Sequence, residues 1–315
     1  MPVTLNLKKG IDLPIFQWLR FLPVSTAAGS SLATDKRGTH RYIYLLPGTT
    51  SFWRYDTWTD SYEQLTNPPT LTFAAGVSMI FDPSRGTAGY VWLFAPLNAS
   101  PWCVFAYYDV AANVWTSRVV PSGLAAQWGT DASLAHTCSS YNAGGNDDYI
   151  YLIGNNSTTW YRYSITGNVW SSLSPVLPAA AGAGCYITWP WGFNIDRLYY
   201  FRGTATPALY YYTISSPAWS SDIAYKPKTE TFTTGTCMTY DSLNRIYIQK
   251  DNTHRMYLYQ LDEDKMYPAG MWPYVSGAAI VGDGLVYIKT VDGAEFLYYR
   301  RQTGTEFWRM LIGWF

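Results

Sequence analysis

The fold is decided by the stretch Tyr163-Ser164-Ile165-Thr166-Gly167-Asn168-Val169-Trp170, in which a tryptophan follows a tyrosine after seven residues. Its central residues favour a turn, and the residues on either side favour strands. The same spacing of a tyrosine and a bulky residue recurs at Tyr55/Tyr62, Tyr108/Trp115, Tyr212/Trp219 and Tyr259/Met266. We interpret each copy as the third and fourth strands of one structural repeat.

Two further strands precede each copy. In the third repeat they are residues 132–140, rich in small side chains, and the aromatic residues 149–153. Successive repeats are separated by 53, 55, 49, 47 and 40 residues, counted between Tyr55, Tyr108, Tyr163, Tyr212, Tyr259 and Tyr299. A four-stranded unit with this period is typical of a β-propeller. The sequence therefore predicts an all-β fold, with six four-stranded blades in one propeller domain over residues 25–315.

The size of the side chains indicates which strand of each repeat lies innermost. The first segment of each repeat is rich in Gly, Ala, Ser and Thr, at residues 28–33, 74–80, 132–140, 181–185, 235–240 and 276–280. The later segments carry Tyr, Trp and Phe. Because blades are crowded at the central axis and spread apart at the rim, we expect the small-residue strands at the axis.

The arrangement of Tyr108 and Asp109 with Trp115, together with looser copies at Tyr163 and Tyr212, resembles the kelch repeat. The resemblance covers roughly residues 28–312 and implies kelch-like blades. In propellers, ligands usually meet the face formed by the loops between second and third strands and by the connections between repeats. A sugar-binding surface uses indole rings, which stack on the sugar ring, next to amide and guanidinium groups, which hydrogen-bond its hydroxyls. The candidate residues of this kind on this face are Trp102, Trp128, Asn155, Arg202 and Trp272. The alternative is that Trp128 and Trp272 pack back over the central channel.

Residues 1–24 precede the first repeat and are too apolar for a free tail. They either supply a strand that closes the ring or form an arm that docks on another subunit. Residues 306–312 already resemble a fourth strand for the last repeat, so the sequence favours the arm. Its contact residues are Ile15, Phe16, Trp18 and Phe21. On this interpretation a chain that starts at Val24 folds normally.

Composition limits the function classes. Hydrophobic residues make up 48% of the chain and charged residues 14%, which excludes a disordered chain. The 22 basic and 22 acidic residues balance without a basic stripe, which argues against a nucleic-acid partner. The sequence has no run of 18 apolar residues and no signal-peptide pattern. We therefore expect no membrane insertion, and a virion or cytoplasmic location.

Residues suited to catalysis are scattered along the chain. His40, His136 and His254 fall in different repeats without acidic neighbours at a useful spacing. The four cysteines lie far apart and lack a C-x-x-C pair, and a zinc site that uses Cys138 with His136 needs ligands from other repeats. We therefore expect no enzyme, no metal and no cofactor.

Two functional classes fit these observations. The first is a non-enzymatic structural propeller, held by other protein subunits of a larger assembly through its rim, a loop face or the apolar arm. Its low charge and abundant Tyr, Ser, Thr and Gly resemble a bacteriophage virion protein from a tail or capsid surface. The alternative is a module that binds a surface glycan or a receptor through a loop face.

Overall fold

The computed structural model describes residues 15–27, 30–35, 40–48, 50–69, 73–97, 102–121, 132–137, 148–154, 156–182, 184–190, 196–203, 208–222, 232, 236–241, 243–250, 253, 255–272, 284–300 and 304–314. These residues form six antiparallel sheets of four strands each, and no helix occurs among them. The predicted all-β propeller of six four-stranded blades is confirmed.

The first strand, β1 (Ile15–Trp18), belongs to the last blade. Blade one contains β2 (Ser30–Thr34), β3 (Tyr42–Pro47), β4 (Phe52–Asp56) and β5 (Ser61–Leu65). Blade two contains β6 (Ser78–Asp82), β7 (Tyr90–Pro96), β8 (Cys103–Asp109) and β9 (Val114–Ser117). Blade three contains β10 (Ala132–Thr137), β11 (Tyr149–Gly154), β12 (Tyr161–Ser164) and β13 (Val169–Ser172).

The second half of the ring has the same order. Blade four contains β14 (Tyr186–Thr188), β15 (Arg197–Phe201), β16 (Leu209–Thr213) and β17 (Ala218–Trp219). Blade five contains β18 (Cys237–Tyr240), β19 (Arg245–Gln249), β20 (Arg255–Gln260) and β21 (Lys265–Met271). Blade six contains β22 (Gly284–Lys289), β23 (Ala294–Arg300) and β24 (Phe307–Trp314), with β1 outermost.

The innermost strands of neighbouring blades contact one another in a closed ring of β2, β6, β10, β14, β18 and β22. Serine hydroxyls on three of them accept the backbone N–H of the next blade, in the pairs Ser31 with Met79 (3.1 Å), Ser78 with Leu134 (3.0 Å) and Ser133 with Ile187 (3.0 Å). At the equivalent edge of blade six, a Cβ added to Gly284 would lie 2.7 Å from the Leu32 side chain. Short side chains at Ser31, Ser78, Ser133 and Gly284 therefore allow a close approach of neighbouring inner strands at these positions.

The recurring tyrosine lies directly opposite its bulky residue on the neighbouring strand, as Tyr163 does opposite Trp170. Tyr163 is fully buried, and its hydroxyl donates to Oδ1 of Asn168 at 2.7 Å. Asn168 has φ of 49°, a left-handed conformation that Asn and Asp tolerate better than most residues. The same bond recurs in the pairs Tyr55 with Asp60, Tyr108 with Asn113 and Tyr259 with Asp264. One residue therefore both permits the tight turn and satisfies a buried hydroxyl.

The bulky residue of the fourth strand reaches the preceding blade. The indole Nε1 of Trp170 donates to the carbonyl oxygen of Val119, at 2.9 Å, just after the outer strand of blade two. Equivalent bonds join Trp115 to Thr66 (2.8 Å) and Trp219 to Pro175 (3.4 Å). In blade one the Tyr62 hydroxyl donates to the carbonyl of Arg20, at 2.9 Å, just after β1. The chain after β1 thus stands where other blades have the exit of their fourth strand.

Blade six differs from the prediction. From the axis outward its strands are β22, β23, β24 and β1, so residues 307–314 form the third strand and the N-terminal segment forms the fourth. Tyr299, predicted on the third strand, lies on the second strand. On the third strand, Met310 occupies the position that the recurring tyrosine has in other blades, directly opposite Phe16 of β1. The structure corrects the expectation of a spare arm. Ring closure by β1 buries Leu19 and Leu22, which an undocked arm would leave in water.

The predicted gradient of side-chain size holds only in part. β2 and β10 are built mostly of small residues, but β6 carries Met79 and Phe81, and β14 starts at Tyr186. Residues 181–182 and 184–185, from a segment predicted as an inner strand, are buried and precede β14, and residues 276–280 lie outside the described residues. The side chains of an inner strand point to both faces of its blade, where the space between blades accepts large residues.

Candidate functional site

Two exposed aromatic side chains lie where the ends of the ring meet. The neighbouring apolar residues of the same segment belong to the core. Phe16 packs into the core between blades five and six, and Leu19 and Leu22 are buried in the core between blades six and one. Trp18 and Phe21, in contrast, are 51% and 60% exposed, with ring centroids 6.1 Å apart in an edge-to-face arrangement. We call Trp18 and Phe21 the seam pair. Of the four predicted arm residues these two remain open to a partner, while the side chain of Ile15 lies outside the described part of the structure.

The segment that carries the seam pair is hydrogen-bonded to blades one and six. The backbone N–H of Arg20 donates to Oδ1 of Asp60 at 3.3 Å, and the Arg20 carbonyl accepts the Tyr62 hydroxyl. The backbone N–H of Leu22 donates to the carbonyl of Thr305 at 2.8 Å. These bonds on both sides of Phe21 hold the exposed rings on a fixed backbone.

β1 also leaves one edge of its sheet open. The backbone N–H of Leu19 donates to the carbonyl of Phe307 at 3.0 Å, continuing the register of β1 with β24. In an antiparallel ladder alternate residues bond to the same neighbour, so the N–H and C=O groups of Phe16 and Trp18 point away from β24. The sheet order ends at β1, and no described residue pairs with this edge. Arg20 is the next residue whose backbone N–H and C=O point outward, and both of these groups already form hydrogen bonds with blade one.

The structure does not bring the predicted loop-face residues together. Trp102 is half-buried after the second strand of blade two, with φ of 65°, and Arg202 is half-buried at the matching place in blade four. Blade three separates them. Trp128 and Asn155 lie outside the described residues.

Trp272 requires a correction. Only 3% of its surface is exposed, and its ring stacks on Tyr299 with centroids 5.0 Å apart and meets Phe16 edge-on at 5.5 Å. Trp272 follows the outer strand of blade five directly, so its indole enters the apolar space between blades five and six. It is a core residue, and its ring lies neither on a loop face nor over the channel.

The opposite face carries an exposed indole that sequence analysis did not single out. Trp58 is 56% exposed on the turn between β4 and β5, and the guanidinium of Arg41 lies 4.6 Å from its ring centroid. Nε of Arg41 lies 2.9 Å from both carboxylate oxygens of Asp56. Burial raises the pKa of Asp56, but the hydrogen bonds from Arg41, Trp58 and Thr59 and the charge of Arg41 together outweigh it, so the pKa lies below its usual value. A tryptophan two residues after an aspartate at a turn was the available sequence signal.

A buried histidine and aspartate lie beside the central axis. Nε2 of His136 is 3.7 Å from Oδ2 of Asp82, and both side chains are buried. Asp82 also accepts the indole N–H of Trp92 at 3.3 Å. The expectation that the histidines lack acidic neighbours is therefore wrong for His136, because the inner strands β6 and β10 bring together residues far apart in sequence. The cavity that these strands line has about 90 Å³ of space, enough for a few water molecules.

Other chemistry is limited among the described residues. No group of three or more His, Cys, Asp or Glu side chains within them is placed to hold a metal ion, and Cys138 lies outside them. The described cysteines are buried and form no disulfide; they are Cys103, Cys185 and Cys237. Burial raises the pKa of the Cys103 thiol to about 11. In the same ranges no helix is long and apolar enough to cross a membrane.

Comparison with known proteins supports the fold alone. No protein-family model matches the sequence, and no curated protein matches it. A structural genomics protein of unknown function from Bacteroides thetaiotaomicron is similar in structure, with a TM-score of 0.61, 10% identity and coverage of 92% of this chain and 70% of that one. An auxiliary nutrient binding protein from the same organism has a TM-score of 0.61 and 11% identity, over 95% of this chain and 76% of that one.

Proposed function

We propose that this chain is a non-enzymatic interaction propeller, a subunit of a larger protein assembly such as a bacteriophage tail or capsid surface, and that the seam pair attaches it. The observation that carries the proposal is the exposure of Trp18 and Phe21 side by side on a fastened backbone. Aromatic residues are enriched at the centres of protein interfaces, where they supply much of the binding energy. Because the backbone that carries these rings is already ordered, binding a partner costs less conformational entropy.

The assignment as a non-catalytic protein has its own support. His136 and Asp82 are the described pair best suited to proton transfer, and both are shielded from solvent. The axial cavity, with about 90 Å³ of space, is smaller than the pockets that typically bind organic substrates. The balanced charge and the abundance of Tyr, Ser, Thr and Gly, which resemble a virion protein, agree with a structural role.

Particles purified from the source provide the test. We expect mass spectrometry to find this chain in fixed ratio to the main structural proteins, and to lose it from particles made with a Trp18→Ser/Phe21→Ser chain. A matched Val114→Ser/Val169→Ser chain, changed at two exposed apolar positions on other blades, should be retained. Recovery of the unaltered chain only outside particles contradicts the assembly role. Retention of the seam variant contradicts attachment at the seam pair.

A second candidate function, glycan binding, is favoured by the surroundings of Trp58. An exposed indole offers an apolar face to a sugar ring, and the adjacent Arg41 and Asp56 offer charged hydrogen-bonding groups. The structurally similar auxiliary nutrient binding protein is described as a binding protein, which is consistent with a binding role on this fold. A glycan array tests this proposal. Binding that a Trp58→Ala chain loses supports it, and an array without hits, or hits that survive Trp58→Ala, removes it.

A further inference from the structure

The open edge of β1 combines uncharged residues with an exposed aromatic ring. β1 reads Ile-Phe-Gln-Trp and contains no charge, and the outer strands β9, β13 and β17 contain none either, whereas β5 contains Glu63, bound to Arg54, and β21 contains Lys265 and Pro268. Charged residues and proline on an edge strand protect it from pairing with another strand. β1 lacks this protection, and its Trp18 is the most exposed aromatic ring on an outer strand in the described part of the chain.

We infer that a second copy of this chain pairs with β1, by an antiparallel two-fold contact centred on Gln17. The inference rests on the proposed attachment at the seam and names the partner there. With the axis at Gln17, Phe16 of each copy faces Trp18 of the other. These are the residues whose backbone N–H and C=O groups point outward, so the two pairs exchange four hydrogen bonds. Gln17 itself is neutral and meets its own counterpart, and the nearest charge, the Arg309 guanidinium whose Nε donates to Gln17 Oε1 at 2.7 Å, lies on β24, one strand away from the axis.

The side chains and the overall charge agree with this register. Directly opposed residues share one face of a sheet, so the exposed ring of Trp18 comes to lie beside Phe16 of the other copy. The chain has a formal net charge of zero, and two copies therefore meet without long-range repulsion. Arg20, the next outward position, is bound to blade one and limits the new pairing to β1.

The area of the contact predicts its strength. The seam pair leaves on the order of 200 Å² of aromatic surface open on each copy. Stable dimers bury about 800 Å² per partner, so the contact lies in the weak, transient class. We expect a Kd on the order of 100 µM for the isolated protein. Within an assembly that already holds copies close together, such a contact is strengthened by their high effective concentration.

Sedimentation velocity on the full chain tests the inference, from about 5 to 500 µM around the expected Kd. We expect reversible dimers at the upper end. Gln17→Lys should remain monomeric, because together with Arg309 it places two positive charges from each copy near the axis, and mixing it with Gln17→Glu should recover dimers because the charges at the axis become opposite. A partner other than a second copy does not predict recovery on mixing.

Cysteine cross-linking locates the contact. Gln17→Cys should form an intermolecular disulfide under mild oxidation much faster than Ser171→Cys, which places an exposed thiol at the equivalent position of β13. Monomers at all concentrations, or equal cross-linking of the two variants, overturn the inference. In that event, loss of Trp18→Ser/Phe21→Ser chains from particles still supports the proposed function, with a different partner at the seam.

Discussion

Removal of residues 1–23 should unfold the propeller. The deletion takes away the fourth strand of blade six together with Leu19 and Leu22, which are 7% and 6% exposed, and the half-buried Phe16. Each leucine contributes roughly 1.5–3 kcal/mol by burial, and with about half that amount from the half-buried Phe16 the loss is about 4–7 kcal/mol. Since a whole domain is stable by about 5–15 kcal/mol, a chain that starts at Val24 should be largely unfolded or have little stability left.

Urea denaturation followed by tryptophan fluorescence and circular dichroism measures this loss. The full-length Trp18→Ser/Phe21→Ser variant is the matched control, because it changes the two most exposed rings of the same segment but keeps β1, Leu19 and Leu22, and it should lose far less stability than the truncated chain. A synthetic peptide of residues 12–23 should restore native structure when added to the truncated chain. If the truncated chain unfolds within about 1 kcal/mol of the full chain, the closing role of β1 is refuted and the apolar segment is an arm after all.

Three further changes probe the repeat itself. Asn168→Ala removes the acceptor of the buried Tyr163 hydroxyl and strains the positive-φ turn, so the free energy of unfolding should fall by about 1–3 kcal/mol. Asn168→Asp keeps an acceptor and tolerates the turn, so it should be nearly neutral. Equal losses of stability in the two variants would contradict the role of Asn168 as acceptor and turn residue. Trp170→Ala should cost about 2–3 kcal/mol, less than for a fully buried ring because Trp170 is half-buried. Trp18→Ala should cost less than that, because half of the Trp18 surface is exposed and its ring packs mainly on Trp308. Burial raises the pKa of Tyr163 and of Tyr108 to about 12, above the value near 10 of an unfolded tyrosine. The unfolded chain therefore loses these protons first, and the stability that these tyrosines contribute below pH 10 should be lost progressively as the pH rises to about 12. Absorbance of tyrosinate at alkaline pH should rise together with unfolding, and full titration near pH 10 in a folded protein would show that burial has no such effect.

The sequence by itself determined the repeating unit. The bond from Tyr163 to Asn168 and the pairing of Tyr163 with Trp170 lie within eight consecutive residues, so their spacing is visible without any knowledge of the rest of the chain. Five copies of the tyrosine spacing, together with six small-residue segments and Tyr299, were enough to predict six four-stranded blades. The strand order within blades one to five followed, because hairpin-connected strands pair with their neighbours in sequence.

Only the tertiary structure decided how the ring closes and what remains exposed. β1 pairs with β24 from the other end of the chain, and no local pattern distinguishes a closing strand from a spare one. Trp18 and Trp272 are similar side chains in similarly apolar stretches, yet one is 51% and the other 3% exposed. The contact of His136 with Asp82 likewise depends on neighbouring blades. Burial is set by which element packs against a face, and in a propeller that element comes from another blade.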